Sequence, residues 1–194
     1  MKKQFLILCL TMGFAGHIFA QSFEKNANGV AVNIQGLTVE VQFYTPTTIR
    51  ILKSKQGEKY INKSLSVIAE PQTVKFTAPK SGKSIKLESS QLHVDIDQNT
   101  GLLTFLTKNG KKLLKENASP TFTNFNDAGK ETFSVSQSYA LEKDEAIYGL
   151  GILQNGKMSQ RNQKIRMVQN NTVDFVTFFQ SVKGYRSEEH TSEL

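Results

Sequence analysis

Leu37-Thr38-Val39-Glu40-Val41-Gln42-Phe43-Tyr44 alternates without a break. Leu37, Val39, Val41 and Phe43 share one face, and Thr38, Glu40 and Gln42 share the other. A period of two is the mark of a half-buried β-strand. Thr45-Pro46 ends it. Upstream, Gly29 to Ile34 alternates in the same way. Downstream, Thr48 to Leu52 resumes, with Ile49 and Ile51 inward and Arg50 outward.

The same grammar continues along the chain. Ser64 to Ile68 and Thr73 to Thr77 read as short strands stopped by Pro71 and Pro79. Ser84 to Glu88, Gln91 to Asp97 and Leu102 to Thr107 follow, separated by turn residues. Lys108-Asn109-Gly110-Lys111 predicts a type I′ hairpin turn, because Asn-Gly suits two positive-φ positions. Lys112 to Glu116 returns, and Thr132 to Leu141 alternates again. No stretch carries helical periodicity over a helix's usual length. Many short strands punctuated by turns predict an all-β fold, an antiparallel β-sandwich.

The chain has 194 residues, 38% hydrophobic and 21% charged, as an ordinary globular domain does. Residues 1–20 are expected to be a secretory signal peptide. Lys2 and Lys3 precede a short apolar run from Phe5 to Phe14, and Ile18-Phe19-Ala20 offers a cleavage site. The run is too short to span a bilayer. Cleavage after Ala20 predicts a secreted or periplasmic protein with no stable membrane insertion. Cys9 lies within the leader, so the mature chain has no disulfide. The formal charge is +7. Its lysines, Lys53 and Lys55 among them, are scattered over turns and outward strand positions. Nucleic-acid binding would need a clustered basic stripe with aromatic platforms, so no nucleic-acid partner is expected.

The side chains offer little catalytic machinery. His93 is the sole histidine between the leader and the chain's last residues, and it alternates with Val94 and Ile96 to point outward. With no cysteine beside it, neither a zinc site nor a Cys/His nucleophile is expected, and no cofactor. Asp95 to Gly101 has the look of a calcium loop but lacks Gly at the sixth position and Glu at the twelfth. Gly149-Leu150-Gly151 lacks the third glycine of a dinucleotide fingerprint. The carboxylates, Glu116 among them, read as solvated strand-edge acids. Glu145 is the exception, placed to cap or orient the turn that follows it.

From Asp144 to Tyr185 the sequence is more particular. Asp144-Glu145-Ala146-Ile147-Tyr148-Gly149-Leu150-Gly151 leads into a polar loop from Gln154 to Gln163. Beyond Gln169-Asn170-Asn171 comes an apolar run, Phe175 to Phe179, that reads as a buried strand, and then Ser181-Val182-Lys183-Gly184-Tyr185. Together with Leu37 to Val41, Thr48 to Ile51, Leu92 to Asp97 and Leu113 to Glu116, in this order and spacing, the chain resembles the N-terminal region of glycoside hydrolase family 31. That family comprises α-glucosidases and α-xylosidases.

The resemblance implies a galactose-mutarotase-like sandwich over residues 21–185, followed in the intact enzymes by a catalytic (β/α)₈ barrel that is missing here. The family's nucleophile and acid are barrel aspartates, so no catalytic residue is assigned. The parent enzyme would act on an α-linked oligosaccharide with retention, α-xyloside favoured over α-glucoside, and this fragment would be inactive. Asn155, Arg161 and Asn162 are then expected to approach the sugar site. Tyr148, Gly149, Gly151, Gly184 and Tyr185 are expected to form the seam with the barrel. Arg186 to Leu194 resembles a translated sequencing adapter, shows no strand pattern, and is expected to be an artefactual tail. The alternative is a free-standing carbohydrate-binding module. The absence of Trp weighs against it, since such modules present aromatic platforms to sugar faces.

Overall fold

The computed structural model describes residues 23–58 and 67–189. Thirteen strands and no helix are found among them, in three antiparallel sheets. The first sheet holds β1 (Phe23–Lys25), β2 (Gly29–Ile34), β3 (Leu37–Thr45) and β4 (Thr48–Lys55), in chain order. The second holds six strands: β5 (Lys80–Ser81), β6 (Ser84–Glu88), β7 (Leu92–Asp97), β8 (Leu103–Thr107), β9 (Lys112–Asp127) and β10 (Lys130–Ala140). The third holds β11 (Ile147–Ile152), β12 (Asp174–Ser181) and β13 (Arg186–Glu188).

The first two sheets form the sandwich, and alternation builds its core. Val30, Val32 and Ile34 from β2 and Val39, Val41 and Phe43 from β3 line one side. Ile85, Leu87, Val94, Ile96 and Leu103 from β6, β7 and β8 line the other. Each fully buried side chain of this kind contributes about 1.5–3 kcal/mol. Phe76 tilts against Phe43 at a centroid distance of 5.5 Å. Meander connections suffice, because each strand is antiparallel to its neighbour.

Turn chemistry fixes the registers. Ile34 pairs with Leu37 across Gln35 (φ 51°) and Gly36 (φ 77°), a two-residue loop with both φ positive. The Asn109-Gly110 turn is different from the type I′ loop expected. Only Gly110 is left-handed (φ 77°). Thr107 donates its N–H to Lys111 O at 2.9 Å and Gly110 donates to Thr107 O at 2.9 Å. This is a three-residue loop with a glycine bulge, and the register shifts between Phe105 and Leu106 accordingly.

Several segments depart from their expected bounds. The Thr73 to Thr77 stretch makes a single bridge, Thr77 to Glu88, although Val74 enters the core. Most of the strand expected at Ser64 to Ile68 lies outside the described residues, as does the leader. β9 runs far past Glu116, to Asp127. Its pairing with β8 ends at Lys115, so beyond that point only β10 accompanies it. β10 falls where Thr132 to Leu141 alternates, whereas the extension of β9 past Glu116 is largely exposed and carries no apolar alternation to announce it.

Two charges expected at the surface are buried. Lys53 Nζ donates to Glu116 Oε2 at 2.5 Å and to Gly101 O at 3.1 Å, with side-chain exposures of 7% and 3% for the ion pair. Leu103 N–H also donates to Glu116 Oε2, at 2.7 Å. The reason is parity. Lys53 follows Ile49 and Ile51 at inward positions of β4, and Glu116 follows Leu114 on β9. The two meet where the sheets face each other. Burial pushes the Glu116 carboxyl up, and Lys53 opposes that without cancelling it.

Candidate functional site

The third sheet gathers the residues singled out between Glu145 and Tyr185. At β11 the main chain is unusual: Gly149 (φ 107°), Leu150 (φ 66°) and Gly151 (φ 101°) all lie at positive φ. Gly149 pairs with Phe179 and Gly151 with Phe175, so two steps along β11 match four along β12. Glycine is required by space as well as by dihedral. A Cβ on Gly151 would sit 2.0 Å from Asp174 O, and one on Gly149 would sit 2.7 Å from Phe178 O. The motif therefore serves a close strand-to-strand approach.

Glu145 is the centre of the cluster, and it is 3% exposed. Its Oε1 accepts from Ser181 Oγ and from Tyr185 OH, each at 2.6 Å. Its Oε2 accepts from Glu142 N–H at 3.0 Å. Burial alone would raise this carboxyl. The Ser181, Tyr185 and Glu142 hydrogen bonds, with the Lys183 charge, outweigh it and hold Glu145 below the usual carboxylate range. Tyr185 shifts upward by burial and by its hydrogen bond to Glu145. Its ring is buried and meets Phe179 edge-on at 6.3 Å. Gly184 (φ 89°) donates to Ser181 O and closes the β12–β13 hairpin.

The polar loop is anchored to the same point. Arg161 Nη1 donates to the Glu145 main-chain oxygen at 2.8 Å. Gln160, buried, donates its N–H to Ile147 O at 2.7 Å and its Nε2 to Lys157 O at 2.8 Å. Asn155 donates Nδ2 to Gln160 Oε1 at 2.9 Å and accepts from Lys157 N–H at 3.0 Å.

Each residue expected here can now be placed. Asn155 is exposed but occupied by its own loop, Arg161 reaches inward, and Asn162 is an exposed left-handed turn residue (φ 59°). Tyr148 is half-buried opposite Gln180. Gln160 was missed. A neutral amide within a polar loop carries no periodic signal, and only its burial distinguishes it. The Phe175 to Phe179 run, expected as a buried strand, is half-exposed, with Val176 at 52%. Arg186–Glu188, expected without strand pattern, pairs with β12 through the main chain, which needs no apolar alternation. Asp97 spends its Oδ1 on the turn below it, accepting from the N–H groups of Asn99 and Thr100, both at 2.9 Å.

The architecture defines a class, the galactose-mutarotase-like β-sandwiches. Residues 38–177 match the glycosyl hydrolase 31 N-terminal galactose mutarotase-like domain, and the chain belongs to that family. An α-xylosidase of Saccharolobus solfataricus is 27% identical over 171 residues, covering 79% of this chain and 22% of that protein. The crystal structure of a family 31 α-xylosidase from Xanthomonas citri superposes with a TM-score of 0.79 at 29% identity, covering 84% of this chain and 18% of that one. A family 31 dextranase of Flavobacterium johnsoniae shares the fold, with a TM-score of 0.68 at 20% identity over 85% of this chain and 21% of its own. The chain thus spans about a fifth of the length of these relatives.

Proposed function

We propose that this sandwich is the N-terminal region of a secreted α-glycosidase, with an α-xyloside favoured over an α-glucoside as substrate. The family match over residues 38–177 carries this reading. Two relatives at 27% and 29% identity, both α-xylosidases, favour the xyloside. Catalysis belongs to a barrel elsewhere in the longer polypeptide, where one carboxylate attacks the anomeric carbon and another protonates the leaving oxygen, with retention. The sandwich by itself is inactive. Its part is to support that barrel through the third sheet, with Tyr148, Gly149, Gly151, Gly184 and Tyr185 at the seam and Asn155, Arg161 and Asn162 towards the sugar. The leader directs export.

The test is the activity of the whole secreted polypeptide on aryl α-xylosides and α-glucosides, with the product anomer followed by NMR. Higher kcat/KM for the α-xyloside, with α-xylose released first, is expected. Preference for the glucoside would reverse the substrate assignment, and initial β-anomer release would exclude retention. Tight binding of xylo-oligosaccharides by the sandwich alone would favour a binding module instead.

A further inference from the structure

We infer that Glu145 is a coupling residue that ties the polar loop to the β12–β13 hairpin, so that the position of either element is set by the other. One residue makes both attachments. Its carboxylate holds the hairpin through Ser181 Oγ and Tyr185 OH, both at 2.6 Å. Its main-chain oxygen holds the loop through Arg161 Nη1 at 2.8 Å. The neighbouring residues repeat the arrangement. Ala146 O accepts from Val182 N–H of the hairpin at 3.2 Å, while Ile147 O accepts from Gln160 N–H of the loop at 2.7 Å. Loop and hairpin therefore converge on residues 145–147 from two sides. On the hairpin side, Lys183 Nζ donates to Glu142 at 2.9 Å and adds a second tie to the turn that contains Glu145.

The chemistry makes this junction stiff. A buried carboxylate with three donors cannot exchange them for water without opening the cluster, and hydrogen bonds to a charged acceptor are the stronger kind. The carboxylate is bound to the hairpin and the carbonyl of the same residue to Arg161, so a shift of the Glu145 backbone that lengthens one attachment also strains the other. A load on the hairpin is thereby transmitted to the loop, and thermodynamic coupling of this kind is reciprocal. The inference goes beyond the sandwich's place in an α-glycosidase, and its test involves no sugar.

The experiment is residue-resolved amide exchange on the full chain, reported as each rate relative to the β7 amides of the same sample. Tyr185→Phe removes a contact on the hairpin side only. It is expected to speed exchange at Gln160 and Gln163, in the loop, by about tenfold. Arg161→Gln removes a contact on the loop side only, and is expected to speed exchange at Ser181 and Gly184 comparably. Glu145→Gln keeps the shape and removes the charge, and should loosen both elements together. The inference is overturned if each single variant loosens only its own element. It is equally overturned if the ratios to β7 do not rise, as under uniform destabilisation or outright unfolding, where the β7 amides speed up at least as much.

Discussion

Lys53→Met should be among the most damaging single changes to the sandwich. The substitution keeps the length of the aliphatic stem and removes the ammonium, leaving the Glu116 carboxylate buried at 3% side-chain exposure without its counter-ion. Breaking a buried pair from one side costs about 3–5 kcal/mol. A domain's whole stability is about 5–15 kcal/mol, so the variant should lose a large fraction of it. Urea titration at pH 7 reads the loss as a lower midpoint with an unchanged slope. Burial already pushes Glu116 up with Lys53 present, and without Lys53 only the Leu103 N–H hydrogen bond is left to oppose the push. A folded pKa above the unfolded value means the folded state holds the proton more tightly. The variant's deficit should therefore shrink as pH falls from 7 through that raised value. The double variant Lys53→Met, Glu116→Leu removes both charges, but strands Leu103 N–H and Gly101 O, which the pair serves at 2.7 and 3.1 Å. It should recover part of the loss and show a coupling of about 2 kcal/mol or more between the sites. A Lys53→Met midpoint within about 0.5 kcal/mol of wild type would refute this reasoning, because that is how an exposed lysine behaves. So would additivity of the two single variants.

Other perturbations follow from the third sheet. Gly151→Ala places a Cβ 2.0 Å from Asp174 O at a φ of 101°, and should cost about 3 kcal/mol or more, read as early loss of β11–β12 amide protection. Gly110→Ala, at φ 77° with nothing within 4 Å, should cost only about 1–2 kcal/mol by the same measurement on β8. Tyr185→Phe removes a hydrogen bond to a charged acceptor and should cost about 1.5–3 kcal/mol at pH 7. Glu145 is held below its unfolded value, so that stabilisation is present above about pH 4.3 and lost as pH falls through the folded value. The gap between wild type and Tyr185→Phe should therefore narrow at pH 3.

The sandwich was legible because its core is written in parity. Leu37 to Phe43, Ser84 to Glu88 and Leu92 to Asp97 alternate, and their inward residues are those of the core. Lys53 and Glu116 were misread by residue type, although both occupy inward positions of their strands; parity was the better guide. β10 was legible from the alternation of Thr132 to Leu141, but the extension of β9 past Glu116 and the polar loop were not. A strand end exposed on both faces and a loop held by single hydrogen bonds impose no pattern on their side chains. Glu145 was visible only as an acid before a glycine turn. Its partners Ser181 and Tyr185 lie 36 and 40 residues away, a separation that local patterning does not encode.

The most direct measurement is to sequence the parent gene through the codons of the β12–β13 hairpin and onward. An open frame continuing from the β12–β13 hairpin into a (β/α)₈ barrel with two acidic residues at the C-terminal ends of its strands is predicted. A stop codon at that point would contradict the place of this sandwich in an α-glycosidase.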